Sequence, residues 1–374
     1  MRSAASSAPR VLMTADAVGG VWTYAVDLAL GLAGTGIETT LVVLGPPPTV
    51  DQVAQAHAAP RLRLLDTRLP LDWMASEPAE ILEVAAVIRG LARGTGADLI
   101  HLNSPALAAG GGFAAPVVGV CHSCLATWWS AVKDGPMPPD FRWRSRSLRR
   151  GMLACDALMA PTAAFAAAAA ETYALPRPLV VRNGRTPPAL PTGRRERMVF
   201  TSGRLWDEGK NIAVLDAAAA LMGAPLYAAG PSQGPSGEPA RLRHARALGR
   251  LPAEAVADWL TRAPVYASAA LYEPFGLGVL EAAQAGCALV LSDIATFREL
   301  WDEAAVFVDP GDAREFAAAC DGLLADPALA ARLGTQARAR AGRYTVEAMT
   351  AGVVDVYGRV RPDLFTPACE AAVA

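Results

Sequence analysis

A chain of 374 residues with 52% apolar residues is too long for one ordinary core and suits two α/β domains. Its formal charge of −2 argues against nucleic acid as the main partner, because binding a phosphate backbone needs a basic surface. Residues 1–10 lack the apolar core of a signal peptide, so a cytoplasmic protein is expected.

Taken in chain order, residues 10–14 read as a first strand, followed by the pair Gly19-Gly20 and an amphipathic helix over 20–33 that Gly34 ends. Residues 38–44 read as a second strand closed by three prolines, and 98–102, 117–120 and 157–160 as later strands. No charged residue lies between Asp98 and Lys133, yet Asn103, Pro105, the glycines at 110–112, Pro116 and His122 exclude a lipid-facing helix there. The alanine tract 166–170 is a helix segment without functional content. Residues 185–194, rich in proline and polar side chains, read as an exposed linker. A second strand series follows at 197–201, 225–229, 265–267 and 288–291. The tail 345–361 places Val346, Met349, Val353, Val356, Tyr357 and Val360 at helical spacing. Repeated β-α units mean parallel sheets covered on both faces, with ligands at the strand C-termini. Six cysteines are scattered and only Cys121 and Cys124 form a C-x-x-C pair, so reduced, semi-buried thiols are expected and no zinc site.

The most informative stretch is Glu273-Pro-Phe-Gly-Leu-Gly-Val-Leu-Glu281, two carboxylates with seven residues between them. It follows an apolar run at 263–271 that reads as a buried parallel strand, and it leads through Pro274 and two glycines into a helical pattern that Gly286 stops. A strand, a glycine-bearing turn and a helix N-terminus make an anion site, since backbone N–H groups and the positive dipole end face the ligand. Two acids beside such a site suit a ligand with both phosphates and sugar hydroxyls, which describes a nucleotide-sugar.

At these residues the chain resembles the retaining glycosyltransferases of the GT-B fold, and specifically glycosyltransferase family 4 with its Glu-x7-Glu motif. Gly19-Gly20-Val21 is similar to that family's N-terminal glycine loop, and Val180-Val-Arg-Asn183-Gly184 resembles the close of its first domain. Gly203-Arg204-Leu205 with Lys210-Asn211 resembles its basic phosphate-binding motif. Leu248-Gly249-Arg250-Leu251 resembles the loop that meets the donor base, and 292–299 the segment after the next strand. Two departures stand out: Lys210 lies one residue farther from Arg204 than in the commonest form, and Arg185 replaces the usual hydrophobic residue after Asn-Gly.

The resemblance implies two Rossmann-like doubly wound domains facing across a cleft: residues 1–190 on the acceptor side, 191–344 on the donor side, and a C-terminal helix over 345–374 crossing back to the first. It implies a metal-independent hexosyltransferase that retains anomeric configuration and has no cofactor. The donor would be a nucleotide sugar with UDP or GDP, and the acceptor hydroxyl that of a sugar, a natural product or a lipid-linked molecule. His122, Glu273, Arg204 and Lys210 would carry catalysis. Gly19, Gly20, Arg204, Lys210, Gly249, Arg250, Phe275, Gly276, Leu277 and Glu281 would bind the donor. Trp22, Tyr24, Trp128 and Trp129 would lie on the acceptor side.

Other readings stand beside these. Gly19-Gly20 alone is a tight turn that lets a helix pack, Arg204 and Lys210 alone are solvated loop charges, and Glu281 alone is a first-turn acid. The basic segment 142–150 is either a helix with a solvated face, an acceptor wall, or a shallow contact with anionic lipid. A GT-B-fold nucleotide-sugar epimerase and a non-catalytic nucleotide-sugar binding module are the rival functions. The first typically needs more acids and histidines than a chain with four histidines offers.

Overall fold

The computed structural model describes residues 8–187, 193–234 and 239–365, so the middle of the expected linker, 188–192, lies outside the described residues. In chain order the first part holds β1 (Arg10–Asp16), α1 (Gly20–Gly34), β2 (Glu38–Leu44), α2 (Val50–Ala58), β3 (Leu62–Asp66), α3 (Pro78–Thr95) and β4 (Leu99–Leu102). It continues with β5 (Val117–Val120), α4 (Leu125–Val132), α5 (Pro139–Ala154), β6 (Ala157–Ala160), α6 (Ala163–Tyr173) and β7 (Leu179–Val180). The second part opens with β8 (Val199–Ser202), α7 (Ile212–Ala219), β9 (Leu226–Ala229), β10 (Arg246–Gly249), α8 (Ala253–Arg262) and β11 (Val265–Ser268). Then come α9 (Leu277–Gln284), β12 (Ala288–Ser292), α10 (Ala295–Trp301), β13 (Val306–Val308), α11 (Ala313–Ala325), α12 (Pro327–Ala341) and α13 (Val346–Val360).

The strands form two all-parallel sheets, ordered β3-β2-β1-β4-β5-β6-β7 and β10-β9-β8-β11-β12-β13. Both orders run outward in one direction, return to the centre and run outward in the other, which is the doubly wound arrangement. The central strands are covered on both faces and read as continuous apolar runs: every residue of β5 and of β12 is buried.

The chain divides into two compact units. One holds the described residues of 1–127, 135–184 and 346–374, and the other those of 128–134 and 185–345. Within the first unit, α13 lies against α1 and buries Met349, Val353, Val356 and Tyr357 in the core that Leu28 and Leu32 of α1 also line. Thr350 of α13 sits against Gly31, so any side chain at 31 would collide with it. In the second unit Phe200, Tyr266, Phe297 and Trp301 are fully or almost fully buried in the core on one face of the sheet.

Candidate functional site

In an open α/β sheet, ligands bind beyond the C-terminal ends of the strands at the point where strand order reverses. In the second unit that point lies between β8 and β11. The loop leaving β8 carries Arg204 and Lys210, and the loop leaving β11 carries Glu273 and leads into α9 with Glu281, so topology alone gathers these four residues. Gly276 caps α9 at φ +89, a left-handed conformation that costs glycine little, and no side chain caps this helix start. Gly278 must also lack a side chain, because a Cβ there would lie 2.9 Å from the Tyr266 hydroxyl and 3.2 Å from Ser202 Oγ.

Each cation of this site rests on a carboxylate. Lys210 Nζ donates to Glu273 Oε2, Arg204 Nη2 to Asp207 Oδ2 at 2.8 Å, and Arg185 Nε to Glu281 Oε1 at 2.9 Å. Asp207 is the hub of the β8 loop: its Oδ1 also accepts the Trp128 indole N–H at 3.1 Å and the Gly209 amide at 2.9 Å. Burial pushes the Asp207 carboxyl up, but the Arg204 and Lys210 charges and the Trp128 bond outweigh it and hold the group below the usual carboxylate range. Lys133 pairs with Glu208 at 2.5 Å on the same loop. The Glu273 carbonyl accepts from Thr296 Oγ1 at 2.7 Å, which fixes the acid's backbone.

In the first unit the reversal lies between β1 and β4. Asp16, at the end of β1, accepts the Val18 amide at 2.8 Å and the Gly19 amide at 3.3 Å on Oδ1, and so shapes the Gly19-Gly20 loop. Asn103, just past β4, donates its amide N–H to the Thr14 carbonyl at 2.7 Å, which orients the side chain and turns its oxygen toward two histidines. That oxygen lies 2.8 Å from His122 Nε2 and 3.2 Å from His101 Nε2. An amide oxygen only accepts, so both imidazoles donate from Nε2. His101 Nδ1 then accepts from the Tyr357 hydroxyl of α13 at 2.7 Å, and His122 Nδ1 is left as an acceptor. Burial, followed by the neighbouring His101, drives the His122 pKa down to about 3, and burial drives His101 down to about 4. Both rings are therefore neutral at ordinary pH.

The structure brings Arg204, Lys210 and Glu273 onto adjoining loops of one unit and Glu281 onto α9, with Phe275, Gly276 and Leu277 at the start of that helix. The other expected residues are placed as follows. Trp22 and Tyr24 are both buried, with the Trp22 indole donating to Gln55 of α2 at 3.1 Å and the Tyr24 ring edge-on to His122 at 4.5 Å. Trp128 spends its N–H on Asp207, so it braces the β8 loop rather than offering that donor to an acceptor, while Trp129 lies beside it at 6.5 Å between ring centres. Leu248 and Gly249 end the edge strand β10 instead of lying in a loop, and only Arg250 and Leu251 follow it. The basic segment belongs to α5, where Arg144 and Arg149 bond the backbone carbonyls of Ala75 at 2.7 Å and Tyr173 at 2.6 Å. Both bonds tie α5 to neighbouring backbone, while Arg142, Arg146, Arg149 and Arg150 are exposed on the helix.

Asp16, Asn103, Asp207 and His101 were not read as site residues from the sequence. Each stands at or just past the C-terminal end of a strand flanking a reversal point, or in the loop that leaves it, and that position was the available signal. Among the described residues no cluster of His, Cys, Asp or Glu could hold a metal ion, and no helix is long and apolar enough to cross a membrane. The five described cysteines are free thiols.

None of the curated proteins matches the sequence. Residues 18–187 match the family model described as Glycosyltransferase Family 4, and residues 196–326 that described as Glycosyl transferases group 1. Among solved structures, the chain is similar to sucrose-phosphate synthase from Thermosynechococcus elongatus, with a TM-score of 0.75 at 20% identity over 95% of this chain and 100% of that one. It is similar also to Anabaena Alr3699/HepE in complex with UDP-glucose, with a TM-score of 0.70 at 16% identity over 94% and 99%. A third is WaaG, a glycosyltransferase involved in lipopolysaccharide biosynthesis, with a TM-score of 0.67 at 13% identity over 93% and 99%. At such identities the structures speak for the fold alone, and the two sequence models for the activity class. With both glycosyltransferase models in order along it and two doubly wound sheets beneath them, the chain is a glycosyltransferase of the GT-B type.

Proposed function

We propose that the chain moves a hexosyl group from a nucleoside diphosphate sugar to an acceptor hydroxyl with retention of anomeric configuration, and that it does so without a metal ion. The observation that carries this reading is the cluster of Arg204, Lys210, Glu273 and Glu281 around the uncapped start of α9. A diphosphate fits the cations and the helix amides, and sugar hydroxyls fit the acids. HepE, solved with UDP-glucose, supports a nucleotide-sugar donor for a chain of this fold.

In this reading the bond between the sugar's anomeric carbon and the diphosphate oxygen breaks as the acceptor oxygen closes on that carbon. The acceptor proton passes to the departing phosphate. Negative charge gathers on the diphosphate, and Arg204, Lys210 and the amides at 275–278 are preorganised for it. Groups so placed typically supply a few kcal/mol each. Each cation is already fixed by its carboxylate, so little reorganisation accompanies the change. Glu281 would hold ribose hydroxyls and Glu273 the transferred sugar. His122, neutral and donating to Asn103, offers Nδ1 as a hydrogen-bond acceptor and not as a cation.

Incubating the purified protein with a panel of nucleotide-sugars, with and without acceptors and with excess EDTA, tests the reading. Acceptor-dependent release of nucleoside diphosphate, a product of unchanged anomeric configuration by NMR, and indifference to EDTA are expected. Release of nucleotide together with a free epimerised sugar would identify an epimerase. Tight donor binding without turnover on any acceptor would identify a binding module.

A further inference from the structure

Arg185 stands where the resembled family usually has a hydrophobic residue, and its surroundings are unusually well fixed. Its backbone N–H donates to the Tyr344 carbonyl at 3.1 Å, and its carbonyl accepts from Gln284 Nε2 of α9 at 3.0 Å. The chain is thus held on both sides, and the side chain, 14% exposed, reaches Glu281 on the same helix. The contact is made through Nε to one carboxylate oxygen, Oε1, at 2.9 Å. Glu281 is itself only 21% exposed, and the torsion that turns a glutamate carboxylate is broad when nothing pins it.

We propose that Arg185 is a positioning residue for ribose recognition: it holds Oε1 of Glu281 so that Oε2 is presented, in one orientation, to a ribose hydroxyl of the donor nucleotide. A pinned acceptor loses less freedom when the ligand arrives and penalises a ligand that lacks the hydroxyl, because a desolvated carboxylate oxygen is then left without its partner. A hydrophobic residue at 185 could pack there but could not orient the acid. Arg185 therefore adds selectivity for the sugar moiety of the nucleotide, a task distinct from the diphosphate contacts assigned to Arg204 and Lys210.

The inference rests on the proposed donor site, and one experiment separates the two. UDP, GDP and ADP are titrated calorimetrically into the full-length protein, and the tightest binder is compared with its 2′-deoxy and 3′-deoxy forms. The same series is run on Arg185→Leu and Arg185→Lys; the lysine variant keeps charge and stem but has no Nε–H at that place, and so covers the case in which the leucine variant does not fold. In the wild type, one deoxy form is expected to bind roughly tenfold more weakly than the parent nucleotide, the loss of one hydrogen bond to a charged group. In the variants the parent nucleotide should weaken by roughly the same factor and the deoxy penalty should shrink to about threefold or less, with melting temperature unchanged. Full deoxy discrimination in a folded variant, or tighter binding of the parent nucleotide, overturns the role given to Arg185 while leaving the donor site standing. If none of the three nucleotides binds the wild type, the donor site itself fails and the inference with it.

Discussion

The two units share one order over six strands, to which the first adds β7, and they place opposite chemistry at the point where it reverses. In the second unit the loop leaving β8 and the segment before that strand carry three cations, each on a carboxylate: Arg204 on Asp207, Lys210 on Glu273 of the loop leaving β11, and Arg185, upstream of β8, on Glu281 of α9. In the first, a neutral chain runs from Tyr357 of α13 through His101 of β4 and Asn103 just past it to His122 after β5. Topology chooses the place and the residues choose the ligand. Balanced ion pairs can exchange a carboxylate for a phosphate with little movement, which suits the binding of a charged leaving group. A buried network with its protons assigned holds a side chain in one orientation and gives no charge to an incoming ligand.

The sharpest way to break this contrast is to remove the cations. Arg204→Ala or Lys210→Ala should lower kcat by about a hundredfold or more, since each loses a charge-assisted contact to the leaving group and leaves a carboxylate unpaired. Unchanged turnover in either variant would make that side chain a surface charge.

A second test divides the acids. Glu281→Gln should weaken binding of the free nucleoside diphosphate roughly tenfold and Glu273→Gln should spare it while damaging transfer by a similar factor or more. Equal losses in both variants, measured by calorimetry with the nucleotide alone, would sink the division of labour.

How far these sites could be read from the sequence follows the same contrast. Strands inside the sheet announce themselves: residues 38–44, 117–120 and 157–160 read directly as β2, β5 and β6, because each has a strand on both sides and carries an apolar run, fully buried in β5 and partly buried in β2 and β6. The edges do not. β3 and β10 hold only exposed and half-buried residues, including Arg63 and Arg246, so neither shows a continuous apolar run. For the second unit's site, Glu273 and Glu281 were visible through spacing and the glycines between them. Their pairings were not, because Lys210 with Glu273 and Arg185 with Glu281 join residues far apart in the chain. In the first unit, Asn103 read only as a polar residue that disfavours a membrane helix. Its role depends on β1 and β4 being neighbours, which no local pattern reveals.

A smaller effect is expected at Trp128. Trp128→Phe keeps the ring and removes the N–H that the charged Asp207 accepts; Arg204 and the Gly209 amide still hold that carboxylate, so kcat/KM should fall by about tenfold at most. A wild-type value would show that Arg204 and the Gly209 amide hold Asp207 without help.

The smallest effect belongs to the histidines. Their folded-state pKa values lie below the ordinary value of 6.5, at about 4 and about 3. The unfolded chain therefore binds more protons than the folded one in that window. The stability these neutral rings contribute is present above pH 6.5 and is lost as pH falls toward 3. His101→Gln should flatten the pH dependence of the melting temperature between pH 6.5 and 4. An unaltered slope would mean that other groups set it.

Amide hydrogen exchange in saturating UDP, GDP or ADP tests the central claim most directly, because it reports where the nucleotide sits. A nucleotide seated on the charged site should protect the amides of 203–210 and 275–281 and leave those of 101–103 unchanged. Protection confined to 16–21 and 101–103, or none with any of the three nucleotides, would contradict the assignment of the donor to the second unit.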